Sequence, residues 1–258
     1  MRRISGFFIL SAMAAGAVLT AYALHAQEQG RLSRPISLQL PTVAPVPGAH
    51  VRATFLIKVK WLHESGSTET LYGLTRVARD SRGRTWRELR ELGSSPEANP
   101  PAGIVLVDPK TSIRKILDPI HNTVVEQRFR PSSHQPSDRN DVRVEDLGSK
   151  TIDGFNATGT RRIWFLPGQI TDAGVPAEVF DETWYSPDLQ MIVSERRTDL
   201  LGATVEVTMS EVDRHEPSPS LFKTPHGYRL PSSGQVRVGT GTWSVAAPDQ
   251  EGNITGAW

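Results

Sequence analysis

Residues 142–166 read VRVEDLGSKTIDGFNATGTRRIWFL, and they open a longer stretch, Val142–Leu230, whose pattern indicates the architecture. The pair Asp153-Gly154 separates two β-rich runs, Val142–Ile152 and Phe155–Leu166. An Asp-Gly pair in this position is typical of a type I′ hairpin, because both central residues of that turn need a positive φ. The rest of the stretch continues in the same manner, so we predict long antiparallel strands joined by tight turns.

Alternation of apolar and polar residues extends this prediction over most of the chain. Val51–Trp61 follows a period of two over eleven residues, which predicts a strand with one apolar face. The charge-rich segment Arg84–Leu92 fits a strand but leaves a helix open. The other predicted strands, each bounded by turn residues, are Thr68–Arg79, Ile104–Asp108, Ile113–Leu117, Asn122–Phe129, Ala177–Tyr185, Leu189–Thr198 and Ala203–Arg214.

Two local signals refine the last strand and the segment after it. Beyond Met209 the apolar positions slip by one residue, which predicts a β-bulge near Ser210 or Glu211. Glu216–Phe222 is expected to form a helical turn whose Leu221 and Phe222 insert into the sheet, and a short closing strand is expected after it.

One apolar and one polar face per strand is typical of an antiparallel sheet that is covered on one side. We therefore expect a mainly β fold, a single strongly curved antiparallel sheet or half-barrel with one or few short helices. No repeat of fixed period is visible, which argues against a propeller or a solenoid.

The N-terminus has the pattern of a secretory signal peptide. Arg2 and Arg3 precede an apolar run, and small residues come after it that fit cleavage after Ala23 or Ala26. Retention as a membrane anchor is the alternative, since a run of this length just spans a bilayer. The expected division is a signal peptide (1–26), a Pro-rich linker (27–50), a β-rich domain (51–230) and a flexible tail (231–258), in a periplasmic or secreted protein.

Composition excludes several classes of function. The chain has no cysteine, which rules out disulfides, a thiolate nucleophile and Cys-ligated metals. The net charge is +1, and loss of Arg2 and Arg3 would leave 27 of the 29 basic residues against 28 acidic ones. Such a balance provides no field to attract nucleic acid, so no nucleic-acid partner is expected.

No motif for catalysis or metal binding stands out. The histidines lack the spacing of a helical zinc pair, and no Gly-x-Ser-x-Gly sequence occurs. The carboxylates Glu145, Asp146, Asp181 and Glu182 are better explained as cross-strand partners of nearby arginines on a solvated face. We therefore expect no catalytic residue, no metal and no cofactor, and a hydrolase is the least favoured function.

Several segments resemble the lipoprotein-carrier-like (LolA/LolB-like) domains, relatives of the periplasmic carrier LolA, many of which are uncharacterised secreted bacterial proteins. The likeness covers Val51–Leu230 at most. It rests on the turn Arg79–Arg84 and on ETWYSPDLQMIV (182–193), VDR (212–214), PSPSLF (217–222) and PHGY (225–228). The resemblance implies a half-barrel sheet whose concave face, covered by helices, encloses a cavity for acyl chains.

These observations lead to an expected function. The chain is interpreted as an exported, non-enzymatic envelope protein that binds an apolar ligand, a lipid or lipoprotein segment, on the concave face of the sheet. The expected lining is Phe55, Ile57, Val59 and Trp184, and no stable membrane span is expected after signal cleavage. The alternative is a periplasmic protein-interaction or sensor module with an envelope protein as its partner.

Overall fold

The computed structural model of the protein describes residues 43–62, 66–128, 142–167, 176–198, 203–231, 235–238 and 241–244. The predicted signal peptide and most of the predicted linker lie outside these ranges. The sheet consists of β1 Val51–Leu62, β2 Thr68–Arg79, β3 Thr85–Arg90, β4 Pro101–Asp108, β5 Ile113–Asp118, β6 Thr123–Arg128, β7 Arg143–Ile152, β8 Phe155–Leu166, β9 Ala177–Ser186, β10 Met191–Thr198 and β11 Thr204–Asp213.

These strands form one antiparallel sheet in the order β6-β5-β4-β3-β2-β1-β11-β10-β9-β8-β7. The sheet is curved and not closed, so β6 and β7 lie at its two edges. Each half is a meander, and the halves join where β1 pairs with β11, with Phe55 opposite Met209 and Ile57 opposite Val207. The prediction of a mainly β fold with a single curved antiparallel sheet is confirmed.

The predicted turn and bulge are present. Asp153 and Gly154 have φ of 48° and 81°, as a type I′ hairpin requires. In the β1–β11 pairing, Arg52 is opposite Asp213 and Thr54 is opposite Ser210, so two residues of β11 face one of β1. Glu211, one of those two, has a φ of 51°. The slip in the sequence pattern therefore marks a true β-bulge.

The charge-rich segment forms a strand, β3, as predicted, and not the helix that the sequence left open. Other segments differ from the sequence prediction, and β4 begins three residues earlier than predicted, at Pro101. Proline is tolerated there because the first residue of a strand need not donate to the ladder. In the segment predicted as a flexible tail, β12 (Gln235–Val238) pairs with β13 (Gly241–Ser244).

The C-terminal segment lies on the sheet without inserting into it. A 3-10 helix covers Pro219–Phe222, and none of its residues is buried, contrary to the expected insertion of Leu221 and Phe222. The Phe222 ring instead lies under the guanidinium group of Arg84, and the distance from Arg84 Cζ to the ring centroid is 4.9 Å. The expected closing strand is reduced to a single bridge between Arg229 and Thr123 of β6.

The main core lies on one side of the sheet, here called the apolar face, which carries Phe55, Ile57 and Val59. A single cluster of buried apolar side chains covers this face from β1 to β6 and on β10 and β11. The opposite side, which carries Leu56 and Lys58, is called the charged face. A smaller cluster on the charged face joins Leu106, Leu117 and Val124 to Trp86, Ile104 and Tyr228.

Candidate ligand-binding face

The four residues predicted to line a ligand site are all buried. Phe55, Ile57 and Val59 are exposed by 0%, 2% and 1%, and Trp184 by 7%. All four belong to the main core cluster. The three β1 residues share the apolar face because side chains alternate along a strand. The structure thus brings the four into one apolar cluster, and their role as a ligand lining stays a prediction.

Trp184 connects this cluster to charged side chains. Its ring fits against Gly159 of β8, where a Cβ atom would come within 2.7 Å of the indole. Its Nε1 donates to Glu182 Oε1 at 2.9 Å, and Lys150 Nζ lies 3.6 Å from the ring centroid. Burial raises the pKa of Glu182, but hydrogen bonds from Trp184 and Arg161 outweigh this effect and hold the pKa below its usual range.

The charged face carries a row of alternating charges across the sheet. Arg161 Nη2 lies 2.7 Å from Glu182 Oε2, and Arg161 Nη1 lies 3.7 Å from Glu145 Oε2. Further along, Glu206 contacts both neighbours, at 3.6 Å from Arg196 and 4.0 Å from Lys58. The register aligns these residues in one row, in the order Lys58, Glu206, Arg196, Glu182, Arg161 and Glu145. The predicted cross-strand pairing is confirmed for Glu145 and Glu182.

Arg79 is a buried cation on the apolar face that donates four hydrogen bonds to backbone oxygens. Its Nε donates to the carbonyl of Ala49, and its Nη1 donates to Ala44 at 3.0 Å and to Gln190 at 3.3 Å. Its Nη2 donates to Leu189. Burial lowers the pKa of Arg79. The side chain therefore fastens the segment before β1 and the β9–β10 turn to β2.

A second charged group lies at the β8–β10 end of the apolar face. Glu195 and Arg197 share the face of Val207 and Val205, and Asp181 is opposite Arg197. The Asp181 Oδ1 atom is buried and accepts no hydrogen bond from any described residue. Asp181 is thus a cross-strand partner of Arg162 and Arg197, as predicted, but it is half-buried and not fully solvated. The position of Asp181 follows from alternation along β9, which places its side chain on the face opposite to that of Glu182.

The same group contains a carboxyl that titrates near neutrality. Burial raises the pKa of Glu195 to about 7, with Arg197 opposing the shift and Asp181 adding to it. Arg197 Nη1 lies 2.6 Å from Glu195 Oε1. Burial also raises the pKa of Asp181, against the effect of Arg197 and Arg162. The two carboxyls thus share an environment that favours their protonated forms.

Sequence reasoning missed the polar residues of the apolar face. Arg87, Arg114 and Glu195 occur in strands as charged residues among other charged residues, which normally indicates a solvated face. The signal that could have identified them is spacing. Arg87 precedes the buried Leu89 by two residues and Arg114 precedes the buried Ile116 by two, so the alternation places each arginine on the buried side.

A pocket of about 230 Å³ lies elsewhere, at the bulge on the charged face. It is lined by Thr54, Arg76, Trp86, Glu211 and Leu221 among others, and by none of the four predicted lining residues. In the part of the chain that the structure describes, no group of three or more His, Asp or Glu side chains is arranged to hold a metal ion. The described residues also include no helix with the length and apolar character needed to cross a bilayer.

Comparisons with known proteins find likeness in structure only. No protein-family model and no curated protein matches the chain. A LolA superfamily protein from Nitrosomonas europaea aligns at 9% identity and a TM-score of 0.32, over 69% of this chain and 91% of that one. A lipoprotein-sorting protein domain of the outer membrane from Vibrio parahaemolyticus aligns at 11% identity and a TM-score of 0.30, over 67% and 89%.

The MucA/MucB complex from Pseudomonas aeruginosa aligns at 12% identity with a TM-score of 0.40, over 68% of this chain and 56% of that one. The chain thus spans little more than half of that neighbour. LolA-like structures, the class predicted from the sequence motifs, are found among the neighbours. At these TM-scores the neighbours carry no argument about what this chain binds, so function must be argued from its own residues.

Proposed function

We propose that the chain is an exported, non-enzymatic envelope protein that binds an apolar ligand, a lipid or lipoprotein segment, on the concave face of its sheet. The proposal assigns the ligand to the apolar face, with Phe55, Ile57 and Val59 in the lining, and includes Trp184, which joins the same apolar cluster from the side of Glu182. Export itself rests on the N-terminal signal pattern of the sequence.

One observation supports this proposal above the others. The central strands β1 and β11 present a continuous apolar surface on one side of a sheet that is not closed. Val205, Val207 and Met209 of β11 lie directly opposite the three β1 residues. The one helix within the described ranges, Pro219–Phe222, is a single 3-10 turn by the charged face. The lining is thus a continuous layer of apolar side chains, the kind that packs against acyl chains.

The first test uses the mature protein purified from the cell envelope without detergent. We expect mass spectrometry of the native protein to detect a bound acyl lipid, and we expect palmitate to raise the Tm of protein from which lipid has been extracted. Absence of lipid in the native protein together with an unchanged Tm would contradict the proposal.

Two substitutions of the same kind on adjacent residues localise the site. Ile57→Phe enlarges a side chain within the lining, and Leu56→Phe enlarges its neighbour on the charged face, which is 42% exposed. We expect Ile57→Phe to weaken palmitate binding about tenfold, because overpacking a filled site costs about 1–3 kcal/mol. Leu56→Phe should bind as the wild type does, and equal losses in both variants would place the ligand elsewhere.

The second candidate function is protein interaction at the β7 edge of the sheet. Val144 of β7 and Phe165 of β8 are exposed by 62% and 63%, which is unusual for large apolar residues in strands. A free edge can accept an extended segment of an envelope protein as an added strand. If this is the function, a defined partner recovered by crosslinking from envelope extracts should be lost on Val144→Glu and retained on Leu56→Glu.

A further inference from the structure

Two arginines lie on the apolar face in the β3–β6 half of the sheet. Arg87 of β3 lies between Val77 of β2 and Val105 of β4 in the sheet register. Arg114 of β5 is opposite Val107 of β4, the next residue of β4 on the same face. Both guanidinium groups are thus surrounded by residues of the apolar face rather than by the charged row on the other side.

Neither arginine has a carboxylate partner within the described ranges. The Arg87 Nε atom is buried and makes no hydrogen bond. Arg114 donates from both Nε and Nη2 to one neutral acceptor, the Gln127 side-chain oxygen on β6, with 3.1 Å for the Nε contact. Arg79, another arginine of this face, instead donates to four carbonyls. Arg87 and Arg114 therefore have N–H groups left to donate to an anion.

The electrostatics of Arg87 and Arg114 also favour the binding of an anion. Burial lowers the pKa of Arg87 to about 10, and the neighbouring charge of Arg114 contributes to that shift. Burial also lowers the pKa of Arg114. Both groups still carry their charge at neutral pH, so two like charges remain close together in a partly desolvated place. An unpaired buried charge is unfavourable, and an anion between the two groups would relieve it.

We propose that Arg87 and Arg114, with Gln127 orienting Arg114, bind the anionic head group of an acyl-chain ligand whose chain lies along the apolar face. The inference rests on the proposed function, because the acyl chain needs that face. The guanidinium forks suit the two oxygens of a carboxylate or a phosphate, which each arginine can bind through paired hydrogen bonds. Valines on both sides of Arg87 provide the surface on which the first methylene groups pack.

The test compares palmitate, its uncharged methyl ester and inorganic phosphate on the lipid-extracted mature protein. We expect palmitate to bind at least about tenfold more tightly than the ester, since a hydrogen bond to a charged group contributes about that factor. Arg87→Met should abolish this preference and leave ester binding unchanged. Arg196→Met, which removes an arginine from the charged face, is the matched control and should retain the preference.

Each outcome separates the head-group site from the lipid-binding function. If the ester and palmitate bind equally to the wild type, the head-group site is overturned and the proposed function stands. If neither binds, both are overturned. If inorganic phosphate binds at Arg87 with the affinity of palmitate, the pair is a site for a free anion and the inference is wrong.

A second measurement needs no ligand. Because methionine replaces an unpaired cation by an apolar side chain of similar length, we expect Arg87→Met to fold and to have a higher Tm than the wild type. A lower Tm would mean that the fold itself uses the guanidinium, and it would overturn the assignment to a ligand.

Discussion

At the scale of single residues, Arg79 shows how one side chain can hold three segments together. It belongs to β2, yet its four hydrogen bonds go to the segment before β1 and to the turn between β9 and β10. Those carbonyls lie outside the strands of the sheet. The planar guanidinium can reach several acceptors at once, which a lysine ammonium on a flexible stem cannot reproduce.

Arg79→Lys should therefore lower the free energy of unfolding by roughly 3 kcal/mol or more, because at least two charged hydrogen bonds are lost in a buried place. Arg76→Lys is the matched control on the same strand. Arg76 lies on the charged face and pairs with the exposed Glu97 and with Glu88, which Arg90 also contacts, so its loss should cost less than about 1 kcal/mol. Urea denaturation measures both, and similar losses would show that Arg79 does not fasten these segments.

Glu195 predicts a pH dependence of stability. Its pKa is about 7 in the folded protein against an ordinary value of 4.5, so the folded chain holds a proton over this window that the unfolded chain has released. The free energy of unfolding should therefore fall as pH rises from 4.5 to 7. The charged groups that face Glu195 are Arg197 and Asp181, which oppose and reinforce the shift respectively.

Glu195→Gln removes this titration. Its free energy of unfolding should change less than that of the wild type between pH 4.5 and 7 and should exceed it at pH 8. Glu206→Gln, in the exposed charged row, should keep the wild-type slope. Chemical denaturation across the pH range measures the effect, and an unchanged slope in Glu195→Gln would contradict it.

At the scale of elements, the packing of β8 against β9 depends on the absence of one side chain. Gly159→Ala would bring a Cβ within 2.7 Å of the Trp184 ring and 2.9 Å of Leu147. We expect a loss of about 1–3 kcal/mol and a displaced indole, as is usual for overpacking. Thr158→Ala, at the exposed neighbouring position, should cost less than about 1 kcal/mol. Denaturation and near-UV circular dichroism would report both changes, and a fully native Gly159→Ala spectrum would contradict the expectation.

Most elements could be predicted from the sequence because their cause is local. Alternation and turn residues located β1, β2 and the strands of the second half to within a residue or two, and the slip after Met209 located the bulge. The pairing of β1 with β11 could not be predicted, since no local pattern selects a partner so far along the chain. The single bridge at Arg229 could not be predicted for the same reason, because its partner Thr123 belongs to an edge strand far away in sequence.

The candidate site was predictable only in its apolar part. Phe55, Ile57 and Val59 follow directly from alternation on β1. The positions of Arg87 and Glu195 could not be predicted in this way, because a charged residue in a strand is normally assigned to the solvated face. Only the register with buried neighbours shows that they lie on the apolar face. Burial of a charge is a property of the assembled sheet, so it appears only once the partners are known.

At the scale of the whole molecule, the two meanders are joined by contacts rather than by the link that connects them in sequence. Residues 129–141 connect β6 and β7, which are the opposite edges of the sheet. The β1–β11 ladder, the hydrogen bonds of Arg79 to the β9–β10 turn and the bridge at Arg229 all join one meander to the other.

Cleavage within residues 129–141 should therefore leave the two fragments associated. An engineered protease site in this segment, cut in the folded protein, should give fragments that elute together in size-exclusion chromatography and separate only in denaturant. A matched protein with the site placed between β9 and β10, at the turn held by Arg79, should resist cleavage while folded. Separation of the fragments in native buffer would contradict this view of the sheet.

The central position of β1 also affects the order in which the protein can fold. Thr54 of β1 bonds to Glu211 of β11, which is 157 residues away in sequence. During synthesis or export, β2 can pair with one side of β1 early, but the other side waits until almost the whole domain has emerged. Ladders closed so late are slow to form and leave apolar edges open to aggregation. The strand with the most deeply buried side chains is thus the first to emerge and among the last to be completed, so the nascent chain needs protection until β11 arrives.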